Sequence, residues 1–304
     1  MIEYLSVDRI NHIIQGYNIN DVFLKLAEHI LSKGKKVSPR GINTLEVSPL
    51  MTIIEKPSDN IILFKERKLN RLFSAMELCW ILSGDEDPWI IEYLKTLNNY
   101  TDEFEGKRYL MGAYGPRIRK YTAIDPITKK VDTIDQLKYV VDKLSTDKDS
   151  RQAIIVIWNP TADTRKNKDI PCTNLMKFSI RDNKLNMTVF MRSNDLYRGS
   201  CYDFFNFTSI QCLLAGILNV QIGTYYHIAD SHHIYESDIS KIENILKNSD
   251  TIKTDFPEII NSERYISIDE LDADLKGRNA PLIHNKYISN LYRWVDENKK
   301  KNLL

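Results

Sequence analysis

The sequence predicts an α+β fold, with a mixed β-sheet packed against long buried helices. Three stretches carry that expectation. "QAIIVIW" (152–158) is a continuous β-branched run, as expected of a strand covered on both faces. "LMKFSI-RDNK-LNMTVFMRS" reads as a hairpin with a polar turn. "DFFNFTSIQCLLAGIL" reads as a helix apolar enough to be mostly buried.

The other elements follow in chain order. A first helix is expected over 21–33, with the stripe Val22, Phe23, Leu26, Ala27, Ile30 and Leu31. Asn20 is its expected cap and Gly34 its end. Strand-like pieces follow at 44–47, 51–54 and 61–64. A second helix covers 69–82 and stops at Gly84. In the hairpin's second strand, alternation puts Leu185, Met187, Val189 and Met191 on one face. Asn186, Thr188, Phe190 and Arg192 share the other. The tail from Lys286 onward, ending in "ENKKKNLL", is expected to fray. No repeat, low-complexity tract or Pro/Gly-rich linker divides the chain, so residues 1–304 read as one domain.

Composition narrows the function classes. Lysine plus arginine (42) nearly cancels aspartate plus glutamate (41), so net charge implies no nucleic-acid surface, though a local anion pocket is allowed. Cys79, Cys172, Cys201 and Cys212 form no CxxC pair. With no signal peptide evident they read as reduced thiols of a cytoplasmic protein, or of a host cytoplasm if the source is viral. No apolar run approaches the ~20 residues needed to cross a bilayer.

Four features stand out. Glu77 is the one charged residue of "FSAMELCWIL". A buried carboxylate is costly unless it is neutral or paired, so Glu77 is either a general acid/base or a structural ion-pair or edge residue. Cys172, in the polar turn "KDIPCTN", is either a nucleophile or a spectator, and Arg192 could supply the cation a thiolate needs. Arg40, Arg151 and Arg192 each sit at a strand or turn edge among small polar residues. That suits phosphate recognition, or plain solvation. "HIADSHHIY" lacks the cysteine or acidic partners of a zinc site. Strand alternation would instead put His233 and Tyr235 on one face, suited to a hydroxyl.

Together, these segments resemble the thymidylate synthase family, which includes the pyrimidine nucleotide hydroxymethylases. The resemblance runs from about Lys36 to Tyr235, in order, and 236–304 diverges. "PRGINTLEV" resembles the phosphate loop, one residue shorter than in many synthases. "MELCWILSGD" is similar to the helix bearing the catalytic glutamate, here Glu77, and a cofactor-facing tryptophan, Trp80. "LMGAYGPRIR" assigns Tyr114, "DIPCTN" the nucleophile Cys172, and "DSRQAIIVIWNP" the arginine that crosses a dimer, Arg151. "MRSNDLYRG" assigns Arg192, Ser193 and Asn194 to the substrate, and Asp195 and Gly199 to the folate. "SHHIY" assigns His233 and Tyr235 to the sugar hydroxyl.

The resemblance implies a homodimer formed through the sheet, binding a pyrimidine nucleoside monophosphate and 5,10-methylenetetrahydrofolate, without a metal. Cys172 would add to C6 of the ring, C5 would attack the one-carbon unit, and Glu77 with Tyr114 would manage protons and water. Arg40, Arg192, Ser193 and the partner subunit's Arg151 would hold the 5′-phosphate.

Asp203 separates the branches. Synthases acting on uracil carry asparagine there, which accepts from N3–H and donates to O4. Cytosine presents the reverse pattern, and a carboxyl can accept from its amino group while sharing a proton with N3. The implied activity is hydroxymethylation of dCMP. CMP hydroxymethylation, a C5-methylating synthase and a catalytically dead nucleotide-binding relative are the alternatives. Asp203 could otherwise be a helix cap. The tail "YRWVDENKKKNLL" does not resemble the closing tail of synthases. Gln152 replaces a usual second arginine, "SCY" (200–202) departs from the family, and His232 beside His233 is unusual.

Overall fold

The computed structural model describes residues 12–278, 281–283 and 285–301. A six-stranded sheet runs in the order Ile13–Gly16, Leu50–Ile54, Gln221–Ala229, Lys184–Met191, Thr173–Arg181, Ile154–Val156. It is mixed. The first pair and the Gln221–Ala229/Lys184–Met191 pair are parallel, and the rest are antiparallel. A four-stranded sheet (Asn194–Asp195, His232–Tyr235, Thr44–Val47, Lys35–Val37) continues from it.

The hairpin forms as its sequence suggests. Asp182 and Asn183 both take positive φ (50° and 55°), the two-residue turn whose twist suits adjoining antiparallel strands. Leu185, Met187, Val189 and Met191 face the core. Against that face lies the helix Ser200–Ile217, buried on nearly every side. Its Gln211 repairs a break in the sheet. Where the register shifts after Leu185, Gln211 Nε2 donates to the Leu185 carbonyl (2.9 Å) and Asn186 Oδ1 accepts from Thr224 N–H (2.8 Å).

Helix Arg71–Ser83 packs beside that central helix, capped by Asn70 and closed by Gly84 in the left-handed region (φ 64°). A side chain at Gly84 would also press on Arg119 Cβ at 2.5 Å.

Several expectations need correction. The first helix is Ile19–Lys33, and Asn18, not Asn20, caps it by accepting from Asp21 N–H. Asn20 has another task. Its amide donates to Ile61 O and accepts from Leu63 N–H, so segment 61–64 pairs with a side chain and makes an isolated antiparallel bridge between Phe64 and Thr251 instead of joining a sheet. Leu31 is only partly buried. The run 152–158 contributes only Ile154–Val156, and at the sheet's edge. Ile155 is buried while Val156 is 38% exposed, so one face is covered, not two.

The tail does not fray from Lys286. Helix Tyr287–Lys301 buries Tyr287, Ile288, Leu291, Tyr292 and Val295, and Trp294 stacks edge-on against Phe256. Asn302–Leu304 and the first eleven residues of the expected domain lie outside the described residues. Among the described residues no helix is long and apolar enough to cross a membrane.

Candidate active site

Cys172 stands at the mouth of strand Thr173–Arg181, held by its own loop. Arg192 N–H donates to the Cys172 carbonyl (2.9 Å). The Arg192 guanidinium donates to Pro171 O (3.0 Å) and Ile170 O (2.9 Å). On the far side of the loop, Asp169 accepts from Gly112 N–H (2.9 Å). Burial pushes the Cys172 thiol above its ordinary range. Arg192 opposes the shift, Asp203 and Asp169 add to it, and Arg40 opposes it. The free protein therefore holds the sulfur mostly as a thiol, with two cations in range to favour the thiolate.

Glu77 and Asp203 come from the two packed helices. Burial raises Glu77 to about 8, although Asn206 Nδ2 donates to its Oε2 at 2.8 Å. Asp203 is raised to about 7, again by burial first, against a 2.6 Å hydrogen bond from Asn194 Nδ2. The capping reading of Asp203 fails. Gly199 is the N-cap, and Asp203 N–H donates to Gly199 O, so the residue is already inside the helix. Its carboxyl points to Asn194, not to a helix-end N–H.

Tyr114 completes this group. Its ring stacks on Phe207 (6.1 Å between centroids), its hydroxyl accepts from Thr173 Oγ1 (3.0 Å), and it lies in the field of Asp203 and Cys172.

The other expected residues distribute as follows. Arg40 is exposed on a tight turn with positive φ (55°), close enough to act electrostatically on Cys172 and Tyr235. Ser193 and Asn194 continue the chain from Arg192, with Asn194 buried. His233 and Tyr235 share a face, their rings edge-on at 5.2 Å. Asp195 sits 4.0 Å from His233 Nε2 and accepts from Arg198 N–H through Oδ1. Its Oδ2 is buried without a hydrogen-bond partner. Gly199 lets the chain close, since a Cβ there would lie 3.3 Å from Asp195 O and 3.4 Å from Asp203 Oδ2.

Trp80 is buried in its helix, with its indole N–H on Asp87 O (2.9 Å). Arg151 does not join Cys172. It lines a separate surface cavity of about 570 Å³ with Lys143 and Gln152.

Sequence reasoning missed several contributors. Asn206 fixes Glu77 and lies three residues after Asp203, a spacing that puts both on one helical face. Asp169 anchors the cysteine loop, and its place beside Pro171 and Cys172 was the available signal. Arg67 is buried against the segment 197–202, donating to Tyr197 O (2.6 Å) with its guanidinium 4.4 Å from the Tyr197 ring. Nothing in its local sequence marks it.

The Cys172 thiol, the raised carboxyls of Glu77 and Asp203, and the guanidinium groups of Arg192 and Arg40 thus lie in one electrostatic neighbourhood. Residues 21–276 match the thymidylate synthase family. The chain belongs to that family. The match runs past 36–235 at both ends and takes in much of the region expected to diverge. The chain is 30% identical over 266 residues to a deoxyuridylate hydroxymethyltransferase of Bacillus phage SP01, covering 83% of this chain and 69% of that protein. It is 27% identical over 239 residues to a putative thymidylate synthase of Methanosarcina acetivorans, covering 78% and 96%. It is also 29% identical over 198 residues to a deoxyuridylate hydroxymethyltransferase of Pseudomonas phage M6, covering 64% and 53%. The protein is accordingly an enzyme of pyrimidine nucleotide one-carbon transfer, in a family that uses methylenetetrahydrofolate.

Proposed function

We propose that the protein hydroxymethylates C5 of dCMP. The observation that carries the base assignment is the Asp203 carboxyl, set in the cleft within the electrostatic reach of Cys172, Tyr114 and Glu77. A carboxyl there can accept from the 4-amino group and pass a proton to N3; an amide can hydrogen-bond to both but cannot give up a proton.

The Cys172 thiolate adds to C6, and the electron pair released at C5 attacks the one-carbon unit. Folate supplies that unit at the oxidation level of formaldehyde. Asp203 shares its proton with N3 and so stabilises the adduct. Glu77, largely protonated at neutral pH, can donate as the folate ring opens, and as a carboxylate can then take the C5 proton while the amine departs and the exocyclic methylene forms. Water adds to the exocyclic methylene, and loss of the Cys172 sulfur restores the ring double bond.

Arg40, Arg192, Ser193 and the partner subunit's Arg151 bind the 5′-phosphate. His233 and Tyr235 bind the sugar. Asp195, whose Oδ2 lacks a donor, suits the N–H groups of a pterin, with Trp80 and Gly199 shaping that side. The outward sheet face, with Ile13, Phe190 and Val156 exposed, supports a homodimer joined there.

The phage relatives favour a second reading, hydroxymethylation of dUMP. A protonated Asp203 could donate to O4. One assay separates the readings. The protein is incubated with methylenetetrahydrofolate and each of dCMP, CMP, dUMP and UMP, and products are identified by mass. Hydroxymethyl-dCMP with tetrahydrofolate is expected. Hydroxymethyl-dUMP, or a methylated nucleotide with dihydrofolate, would overturn the proposal. Cys172→Ser should abolish turnover, and Asp203→Asn should move preference towards uracil by at least ~100-fold.

A further inference from the structure

Two departures from the family pattern, Ser200 and His232, meet beneath the base-reading residue. Ser200 Oγ lies against Asn194 Oδ1, 2.9 Å from Asp195 O and 3.1 Å from His232 Nε2. Asn194 Nδ2 in turn donates to Asp203 Oδ2 at 2.6 Å. Ser200 and His232 are fully buried, and Asn194 is 2% exposed.

The donors and acceptors fix a direction. A serine hydroxyl has one hydrogen, and both Asn194 Oδ1 and Asp195 O are acceptors, so that hydrogen is committed to them. His232 Nε2 must then be the donor to Ser200. Burial beside His227 and His233 keeps His232 neutral, with one ring hydrogen, and its Nδ1 has no partner. Placing that hydrogen on Nε2 leaves no N–H stranded. The chain of donors runs from His232 to Ser200 to Asn194 to Asp203 Oδ2. Turning the Asn194 amide over does not free Oδ2. Asp203 would then direct any Oδ2 hydrogen at Asn194 instead of at a ligand.

We propose that His232, Ser200 and Asn194 form a directional relay that prevents Asp203 Oδ2 from offering a hydrogen to a bound base, leaving Oδ1 as the one carboxyl oxygen that can donate to it. An unrestrained carboxylic acid can serve cytosine or uracil by moving its proton between its oxygens. A restrained one serves a single order of donor and acceptor, because the thiol and the sugar fix the ring's orientation. Asn194 and Ser200 are therefore positioning residues that set base choice. This rests on the reading that Asp203 contacts the base.

The test uses the full-length protein and the variants Asn194→Ala, Ser200→Ala and Ser200→Thr. The first readout is the ratio of kcat/KM for dCMP and dUMP. The relay requires that ratio to move towards unity by about tenfold or more in Asn194→Ala, the equivalent of one misdirected hydrogen bond. Ser200→Ala should change it in the same direction, and Ser200→Thr, which keeps the hydroxyl, should restore it. The second readout is the titration of the Asp203 carboxyl by carbon-13 NMR without nucleotide. It should move to higher pH in Asn194→Ala, which loses a donor to the charged form. An unchanged ratio and an unchanged titration in both alanine variants overturn the relay. If the wild-type protein turns over neither nucleotide, the functional reading falls, and the titration alone still decides the relay.

Discussion

Cys172 is held back by its surroundings in the free protein, and Arg192 does most to limit the effect. The guanidinium clamps two carbonyls of the cysteine loop while its charge favours the thiolate. Arg192→Ala should raise the thiol's pKa further and slow its alkylation by iodoacetamide at pH 7.5 by about tenfold. Arg192→Lys keeps the charge and should lose less. Equal alkylation rates in all three proteins would show that Arg192 does not act on the sulfur. At this scale the sequence was readable where a residue contradicted its setting. Glu77 among aliphatics, Cys172 in a polar turn and Asp203 directly ahead of a buried apolar run all qualify. Asn206, Asp169 and Arg67 did not stand out. An amide on a helix, an acid in a polar loop and an arginine within a charged turn have the same local appearance when solvated. Their importance arises from residues far away in sequence.

Two neighbouring helices each carry an acid into the cleft, and both acids weaken the fold as pH rises. Glu77 moves from an ordinary value of 4.5 to about 8. Between those values the folded state keeps the proton and the unfolded state has lost it. Stability therefore falls with rising pH across that window. Glu77→Gln, which still accepts from Asn206, should match the wild type near pH 4.5 and melt at least ~3 °C higher near pH 8.5. Equal melting temperatures at both values would mean that the carboxyl is solvated. Elements were readable where periodicity and turn chemistry agreed. The hairpin with its Asp-Asn turn and the stripe from Val22 to Ile30 are examples. They were misread where the deciding partner was distant. Segment 61–64 has strand composition but gives Ile61 O and Leu63 N–H to Asn20 and reaches only an isolated bridge from Phe64 to Thr251. Run 152–158 is apolar on both sides, yet its outer side lies uncovered at the sheet's edge.

That uncovered face bears on the whole molecule. Ile13, Phe190 and Val156 lie on its outer side, at 48%, 37% and 38% exposure, across a sheet whose inner side is closed by the central helix. Arg151 stands three residues before the edge strand, exposed and away from its own cysteine. A face-to-face dimer would cover the apolar side and offer that arginine a route to the other subunit's phosphate site. If so, Arg151→Ala and Cys172→Ser are each inactive as homodimers but complement one another. A 1:1 mixture, unfolded and refolded together, produces half heterodimers. In each of these, one site has neither substitution, so about a quarter of wild-type activity should return. If Arg151 served its own subunit, every heterodimer site would carry one of the two substitutions and no activity would return. Phe190→Glu combined with Val156→Glu should give a folded monomer by sedimentation and circular dichroism, with activity lost. A monomer that kept full activity would remove the dimer from the mechanism and, with it, any role for Arg151 across subunits.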